Sequence, residues 1–246
     1  MSIQPPAAAP GKPNLRRWTL RVVAGLDAEP NMRRVVFTAD DIAEFACKPG
    51  QAIVFAMPLG NGETGRRHYT VRAADAAAGT IAVDFFRHDE TSPSVRWALA
   101  AQPGDSIEAM GPRGGAWVRP DADWHLLSGD ETCIPAIASM LETMPTGARV
   151  KAFVEVADRS LELPIATAAD AQIAWLTRRA GADLLLSAIE SVALPPGRGH
   201  AIVVGETGSV RRQRHALIAR GLGRDQISSE GYWRAGRIGG HDHVDD

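Results

Sequence analysis

Between Arg66 and Arg72 the chain reads RRHYTVR, three arginines and a histidine around one tyrosine and one threonine. A guanidinium meets a phosphate through two parallel N–H groups, and a phenol ring lies flat on another planar ring while covering apolar area. The stretch therefore suits a flat, phosphate-bearing ligand, and equally a basic solvated strand whose tyrosine packs across to a neighbour. A second stretch, GDETCIPA from Gly129 to Ala136, has the form of a helix start, with Thr132 as its cap and Pro135 in its first turn. The N–H groups of such a start can serve a phosphate, although Asp130 and Glu131 would repel one placed directly on them.

Other chemistry is missing. No HExxH, GxSxG or cluster of Cys and His ligands occurs, so nothing points to a metal centre or a nucleophilic triad. Cys47 and Cys133 stand far apart, too few for an iron–sulfur cluster or a disulfide framework. The terminal HDHVDD, with His241 and His243, reads as a loose acidic tail over 241–246, because no second cluster completes a metal site.

The elements that must position these residues follow from periodicity. From Arg16 to Met110 short alternating runs are separated by Gly, Pro and Asp: Trp18, Leu20 and Val22; Val35 and Phe37; Ile53, Phe55 and Met57; then Thr80 to Phe86 and Ser106 to Met110. This spacing predicts an antiparallel barrel or sandwich, interrupted by one helix over Ser94 to Ala101 that stops before Pro103 and Gly104. Past GPRGG the rhythm becomes β-α-β, with strands at 124–128, 150–156, 173–176, 201–204 and 226–231. Helices are expected at 134–144, 183–192 and 209–220, the last closed by Gly221. Ligands of such a parallel sheet bind beyond its strand ends, which marks 128–132 and 205–207 as the working edge, although no GxGxxG follows the first strand.

The whole is read as a two-domain chain: a flexible arm over 1–15, a β-barrel domain over 16–118, an α/β domain over 119–240, and the tail. Its 246 residues suffice for two cores, and 27 Lys and Arg against 29 Asp and Glu give a net charge of -2, which argues against nucleic acid as a partner. The Pro/Ala-rich start lacks the apolar run of a signal peptide, and no run of about 18 apolar residues occurs, so a cytoplasmic protein without membrane insertion is expected.

Six ordered pieces make the reading specific: RHYTVR (67–72), VDFFRH (83–88), RWALAAQPGD (96–105), GPRG (111–114), GDETCIPAI (129–137) and GYWRAG (231–236). Together with NMRRVVF (31–37) and GETGSVRRQRHAL (205–217) they resemble the siderophore-interacting protein family, flavin-dependent ferric-siderophore reductases among the ferredoxin-reductase-like flavoproteins. The resemblance implies a flavin-binding antiparallel barrel followed by an NAD(P)H-binding parallel sheet, with FAD as cofactor and NAD(P)H as electron donor. It implies that Arg67 binds flavin phosphate, that Tyr69 packs on the isoalloxazine and that Thr70 lies near it. Asp84, Phe86 and His88, with Ser92 and Ser94 at the following helix start, would hold the rest of FAD; relatives commonly read GPA where this chain reads SPS.

Gly129, Asp130, Glu131, Thr132, Gly205 and Glu206 would line the NAD(P)H edge, and Tyr232 and Trp233 would return to the domain junction. Arg159, Arg178 and Arg179 are candidates for a nucleotide 2′-phosphate. Arg66, Arg113, Arg234 and Arg237 are candidates for an anionic ferric siderophore, each equally readable as a surface cation. Ile53 stands near the place of a lysine common in relatives. No residue is assigned a catalytic acid–base role, and a monomer is expected. Two alternatives remain open at this point: a flavoprotein exchanging electrons with a protein such as ferredoxin, and a siderophore-binding module without redox work.

Overall fold

In a computed structural model of the chain, residues 15–29, 31–60, 62–236 and 242–243 are described. Arg237, nearly all of the N-terminal arm and most of the His/Asp tail lie outside the described residues.

Six strands form a closed antiparallel barrel: β1 (Arg17–Ala28), β2 (Met32–Thr38), β3 (Ala52–Pro58), β4 (Thr64–Asp75), β5 (Thr80–Phe86) and β6 (Ser106–Arg113), in the order β1-β2-β5-β4-β3-β6. Closure leaves no edge strand exposed. The alternation that predicts these strands is the alternation that fills the barrel: Trp18, Leu20, Val22, Val35, Phe37, Ile53, Phe55, Met57, Val83 and Phe85 all point inward and are buried. Burying one such phenylalanine contributes roughly 1.5–3 kcal/mol. Helix α1 (Pro93–Ala100) closes one end of the barrel, burying Val95 and Ala98 and laying Trp97 parallel to Phe37 with ring centroids 6.1 Å apart. It ends one residue earlier than the sequence suggests because Ala101 is already extended.

The second half alternates as expected: β7 (Trp124–Asp130), α2 (Ile134–Thr143), β8 (Arg149–Val156), β9 (Asp170–Thr177), α3 (Leu184–Ser191), β10 (Gly199–Glu206), α4 (Thr207–Ala219) and β11 (Ile227–Trp233). The five strands are parallel in the order β11-β10-β7-β8-β9. Helix α2 packs with the core on one face and α3 with α4 on the other, so central β7 is buried along its whole length. Both β7 and β10 run two residues beyond the apolar runs. Gly129 and Asp130 still pair with β8, and Gly205 and Glu206 with β11, although their side chains carry no strand signal.

One expectation about the tail changes. The backbone of Asp242–His243 pairs antiparallel with Glu230 and Gly231, so this part of the expected loose tail adds a sixth strand to the sheet. Among the described residues no helix is long and apolar enough to cross a membrane.

The barrel and the sheet are packed against each other. Met32 and Ala116 share an apolar cluster with Ile137, Met140 and Leu141, and Phe86 joins its rim. The Gly50 N–H donates to Ser139 Oγ (3.1 Å), and Arg72 grips Glu142 of α2 through two bonds of 2.7 and 2.6 Å. Gly50 has φ +90°, and a Cβ there would fall 2.5 Å from the Ala116 carbonyl, so the close approach of the halves requires glycine.

Candidate functional site

The arginine- and tyrosine-bearing stretch lies on β4, paired on one side with β3: Arg67 is opposite Phe55, Tyr69 opposite Ile53, and Thr70 opposite Ala52. Because a strand has period two, Arg67, Tyr69 and Val71 share one face while Arg66, His68, Thr70 and Arg72 share the other. Tyr69 packs its ring 4.2 Å from that of Phe85 and 6.2 Å from Phe55, and its hydroxyl is hydrogen-bonded to Ser94 of α1. Burial pushes the Tyr69 phenol up from its ordinary pKa, so it is a neutral ring at physiological pH. Arg67 sits beside it at the barrel rim, one Nη1–H going to the Arg66 carbonyl at 2.9 Å.

Thr70, on the opposite face, is buried against the second half of the chain and is hydrogen-bonded to Tyr232 of β11. The C-terminal aromatic segment thus reaches β4 directly. Arg72 on the same face grips Glu142, while Arg66, further along, is exposed in a shallow groove with Arg17 and Glu108.

The residues at the end of β5 and just after it divide. The Asp84 carboxylate is paired within the barrel wall: Arg34 donates Nε to Oδ1 (2.6 Å) and Nη2 to Oδ2 (2.7 Å), and the Arg72 Nε lies 3.8 Å away. Its carboxylate is spent on a cross-strand pair, since Arg34 and Asp84 are register partners on β2 and β5. Phe86 and His88 stack nearly parallel at 6.4 Å, His88 exposed with Nδ1 3.0 Å from the Phe86 carbonyl. Ser92 is the N-cap position of α1 and makes no side-chain capping bond, so the first-turn N–H groups keep their donor character. Ser94 is buried and holds Tyr69, which removes it from the surface a phosphate would meet. Ile53 is fully buried in the barrel core, a place where a charged lysine would lack water.

At the sheet's carboxyl edge the cap is Asp130, and Thr132 is its donor. Asp130 Oδ1 accepts the Thr132 N–H (2.9 Å) at the short 3-10 turn Glu131–Cys133 that precedes α2, and α2 has no side-chain cap of its own. Its Oδ2 accepts the Glu206 N–H (3.0 Å) and Trp233 Nε1–H (2.9 Å). Burial pushes Asp130 up from the usual carboxylate range, against the pull of its bonds to Thr132 and Trp233. Gly205, at φ +128°, allows this approach, because a Cβ there would stand 2.6 Å from Oδ2. Gly129 lies against Cys133, and Glu206 caps α4 through the Ser209 N–H at 2.7 Å.

Glu131 receives Arg178 at 2.8 and 2.5 Å, and the Arg178 Nε donates to Glu155 at 2.8 Å. These carboxylates raise the Arg178 pKa and engage all three of its guanidinium nitrogens, so a 2′-phosphate there would compete with Glu131 and Glu155. Arg159 pairs with Glu162 on the surface, and Arg179 is exposed. Arg113 lies at the end of β6 opposite Ala52, and Arg234 is exposed just past β11. Among the described residues no group of three or more His, Cys, Asp and Glu is placed to hold a metal ion.

Sequence reasoning missed Arg34, Ser139 and Glu142, which fix the frame. A lone Asp84 on apolar β5 facing the Arg33–Arg34 pair of β2 was the available signal for Arg34; nothing local marks Ser139 or Glu142, whose partners are 89 and 70 residues away.

Comparison with known proteins agrees with this arrangement. Residues 51–116 match the siderophore-interacting FAD-binding domain, and residues 122–236 match the siderophore-interacting protein domain. The ferric vibriobactin reductase ViuB of Vibrio cholerae is 32% identical over 231 residues, covering 84% of this chain and 85% of its own. The chain belongs to the siderophore-interacting protein family.

The crystal structure of a siderophore utilization protein from T. fusca superposes on this siderophore-interacting protein with a TM-score of 0.80 at 35% identity, covering 91% of this chain and 95% of that one. An uncharacterized protein of Mycobacterium tuberculosis is 41% identical over 186 residues, 70% of this chain; the match spans 65% of the mycobacterial protein's length. More distant ferredoxin reductase structures share the fold alone, as expected for a ferredoxin-reductase-like architecture. FAD is the cofactor of the domain matched in the barrel. The residues present fit it: an uncapped helix start beside a partly buried neutral ring, a rim arginine and a flat Phe86–His88 pair.

Proposed function

We propose that this siderophore-interacting protein is an FAD-dependent ferric-siderophore reductase that takes electrons from NAD(P)H and releases iron as Fe(II). The observation that carries the reading is the meeting of the two halves on β4, where the Tyr69 and Thr70 pair stands between the barrel core and Tyr232 of the second sheet. FAD supplies the redox chemistry there, since a flavin accepts the two electrons of a hydride and can release them singly to iron.

The chain supplies position. Arg67 and the N-terminus of α1, with Ser92, hold phosphate; Tyr69, fixed by Ser94 and Phe85, sets the plane of the ring; Thr70, next to it on the other face of β4, brings Tyr232 to the flavin's edge; and Phe86 with His88 cover the remaining aromatic part. Glu131, Thr132, Gly205, Glu206 and Trp233 form the rim met by the nicotinamide nucleotide at the strand ends. Arg66, Arg113 and Arg234 are the cations an anionic ferric siderophore meets on approach. The protein acts as a monomer in the cytoplasm, where both nucleotides are available.

The test uses purified protein loaded with FAD. Anaerobic NADH or NADPH should bleach the flavin absorbance, and a ferric siderophore added next should restore it while a ferrous trap reports Fe(II). Protein that stays colourless after FAD is supplied, or a bleached flavin that no ferric chelate reoxidises, sinks the proposal.

A further inference from the structure

The Trp233 indole is one of three large hydrophobic side chains exposed among the described residues, at 41%, yet it is held at both ends. Its Nε1–H donates to Asp130 Oδ2 at 2.9 Å, and its carbonyl accepts from Thr207 Oγ1 at 3.0 Å. Trp233 ends β11 and Asp130 ends β7, and β10 lies between them, so the indole reaches across the end of β10. The space it crosses is kept clear by Gly205, where a Cβ would strike the same carboxylate oxygen.

Strands β7 and β10 are also where the winding of the sheet reverses, with β8 and β9 on one side and β10 and β11 on the other. Open parallel sheets take their ligands at this switch point. An exposed apolar ring in water has no reason of its own to be rigid. Here a buried carboxylate is committed to holding it.

We infer that Asp130 is a positioning residue, which locks Trp233 across the switch point as the flat platform on which the nicotinamide nucleotide is seated. This rests on the proposed reductase function and deepens it. Asp130 faces inward, 5% exposed, and acts through the indole and not by touching the nucleotide. The same carboxylate fixes the Glu206 N–H and the Thr132 turn, so platform and rim share one anchor.

The experiment measures binding apart from turnover. Oxidised, FAD-loaded protein is titrated calorimetrically with NAD+ and with NADP+, and the rate of flavin bleaching is followed against NADH and NADPH concentration. Trp233→Phe keeps a ring and removes the N–H; Asp130→Asn keeps the shape and replaces one acceptor oxygen with a donor. Each should weaken binding of the preferred nucleotide by about tenfold, the scale of one charge-assisted hydrogen bond, and leave the limiting bleaching rate within about twofold. The double variant should be no worse than Asp130→Asn alone, because Trp233→Phe breaks a contact that Asp130→Asn already breaks.

Wild-type affinity in Trp233→Phe, or losses that multiply in the double variant, overturns the inference. If Asp130→Asn fails to fold, Trp233→Phe alone decides, since its site is at the surface. Wild-type protein that binds neither nucleotide and is bleached by neither overturns the reductase reading itself, an outcome distinct from unchanged binding in the variants.

Discussion

Replacing Asp84 by Asn separates two roles that the DFFRH stretch could play. In the structure both Asp84 oxygens accept from Arg34, at 2.6 and 2.7 Å, with the carboxylate side chain only 4% exposed and the guanidinium 31% exposed. Asparagine fills the same space but turns an NH2 toward one arm of the guanidinium and removes the compensating charge. Breaking a fully buried ion pair costs roughly 3–5 kcal/mol, and partial exposure of Arg34 screens part of that, leaving about 2–3 kcal/mol. For a barrel of this size that corresponds to a fall in Tm on the order of 10 °C.

The assay is thermal denaturation of the flavin-free protein by circular dichroism, alongside FAD titration by flavin fluorescence. A frame role predicts a lower Tm without flavin, with FAD affinity nearly kept below the transition. A flavin-free Tm equal to wild type together with weakened FAD binding would refute this reasoning and return Asp84 to the cofactor.

Arg67→Ala should release FAD, whereas Arg66→Ala, on the opposite face of β4, should retain it and change only the KM for the ferric siderophore; equal flavin loss in both would show the faces misassigned. Glu142→Gln should loosen the junction at modest cost, about 1 kcal/mol, because Glu142 is partly exposed; urea denaturation reads this, and a loss equal to that of Asp84→Asn would contradict it. His200 is buried and its pKa falls to about 4, chiefly through burial and then through Arg119 and His125. The unfolded chain takes up a proton near 6.5 and the folded one resists until about 4, so stability should fall through this window, by at most about 3 kcal/mol. Denaturation midpoints between pH 7.5 and 4 should drop less in His200→Gln than in wild type; parallel curves would exclude the residue as the source.

The strands and helices were legible because their apolar periods do the folding. Alternation in β1 and β2 marks the residues that meet in the barrel, and the paired apolar runs of β7 and β10 mark the sheet centre. What was not legible lies at strand ends. Gly129, Asp130, Gly205 and Glu206 read as loop because they are small or charged, yet their backbones continue the ladders. The capping role moved from Thr132 to Asp130 for a related reason: a carboxylate with two oxygens can serve a turn and two other strand ends, and those partners are 76 and 103 residues distant. Arg178 looked available to a phosphate because neither Glu131 nor Glu155 is its neighbour in sequence; parallel pairing brings all three strand ends together.

The three arginines of RRHYTVR then acquire different work from strand geometry alone. Arg67 shares the face of Tyr69, whose inner contacts are Phe55 and Phe85, so it can only stand at the barrel rim beside that ring. Arg66 and Arg72 share the other face, six residues apart, and a strand rising roughly 3.3 Å per residue separates them by about 20 Å. At one end of this span Arg72 meets α2 and joins the halves through Glu142, with Thr70 and Tyr232 between; at the other Arg66 opens to solvent. A charge-neutral swap of Arg72 should therefore disturb the junction between the halves, whereas the same swap at Arg66 should leave the frame intact.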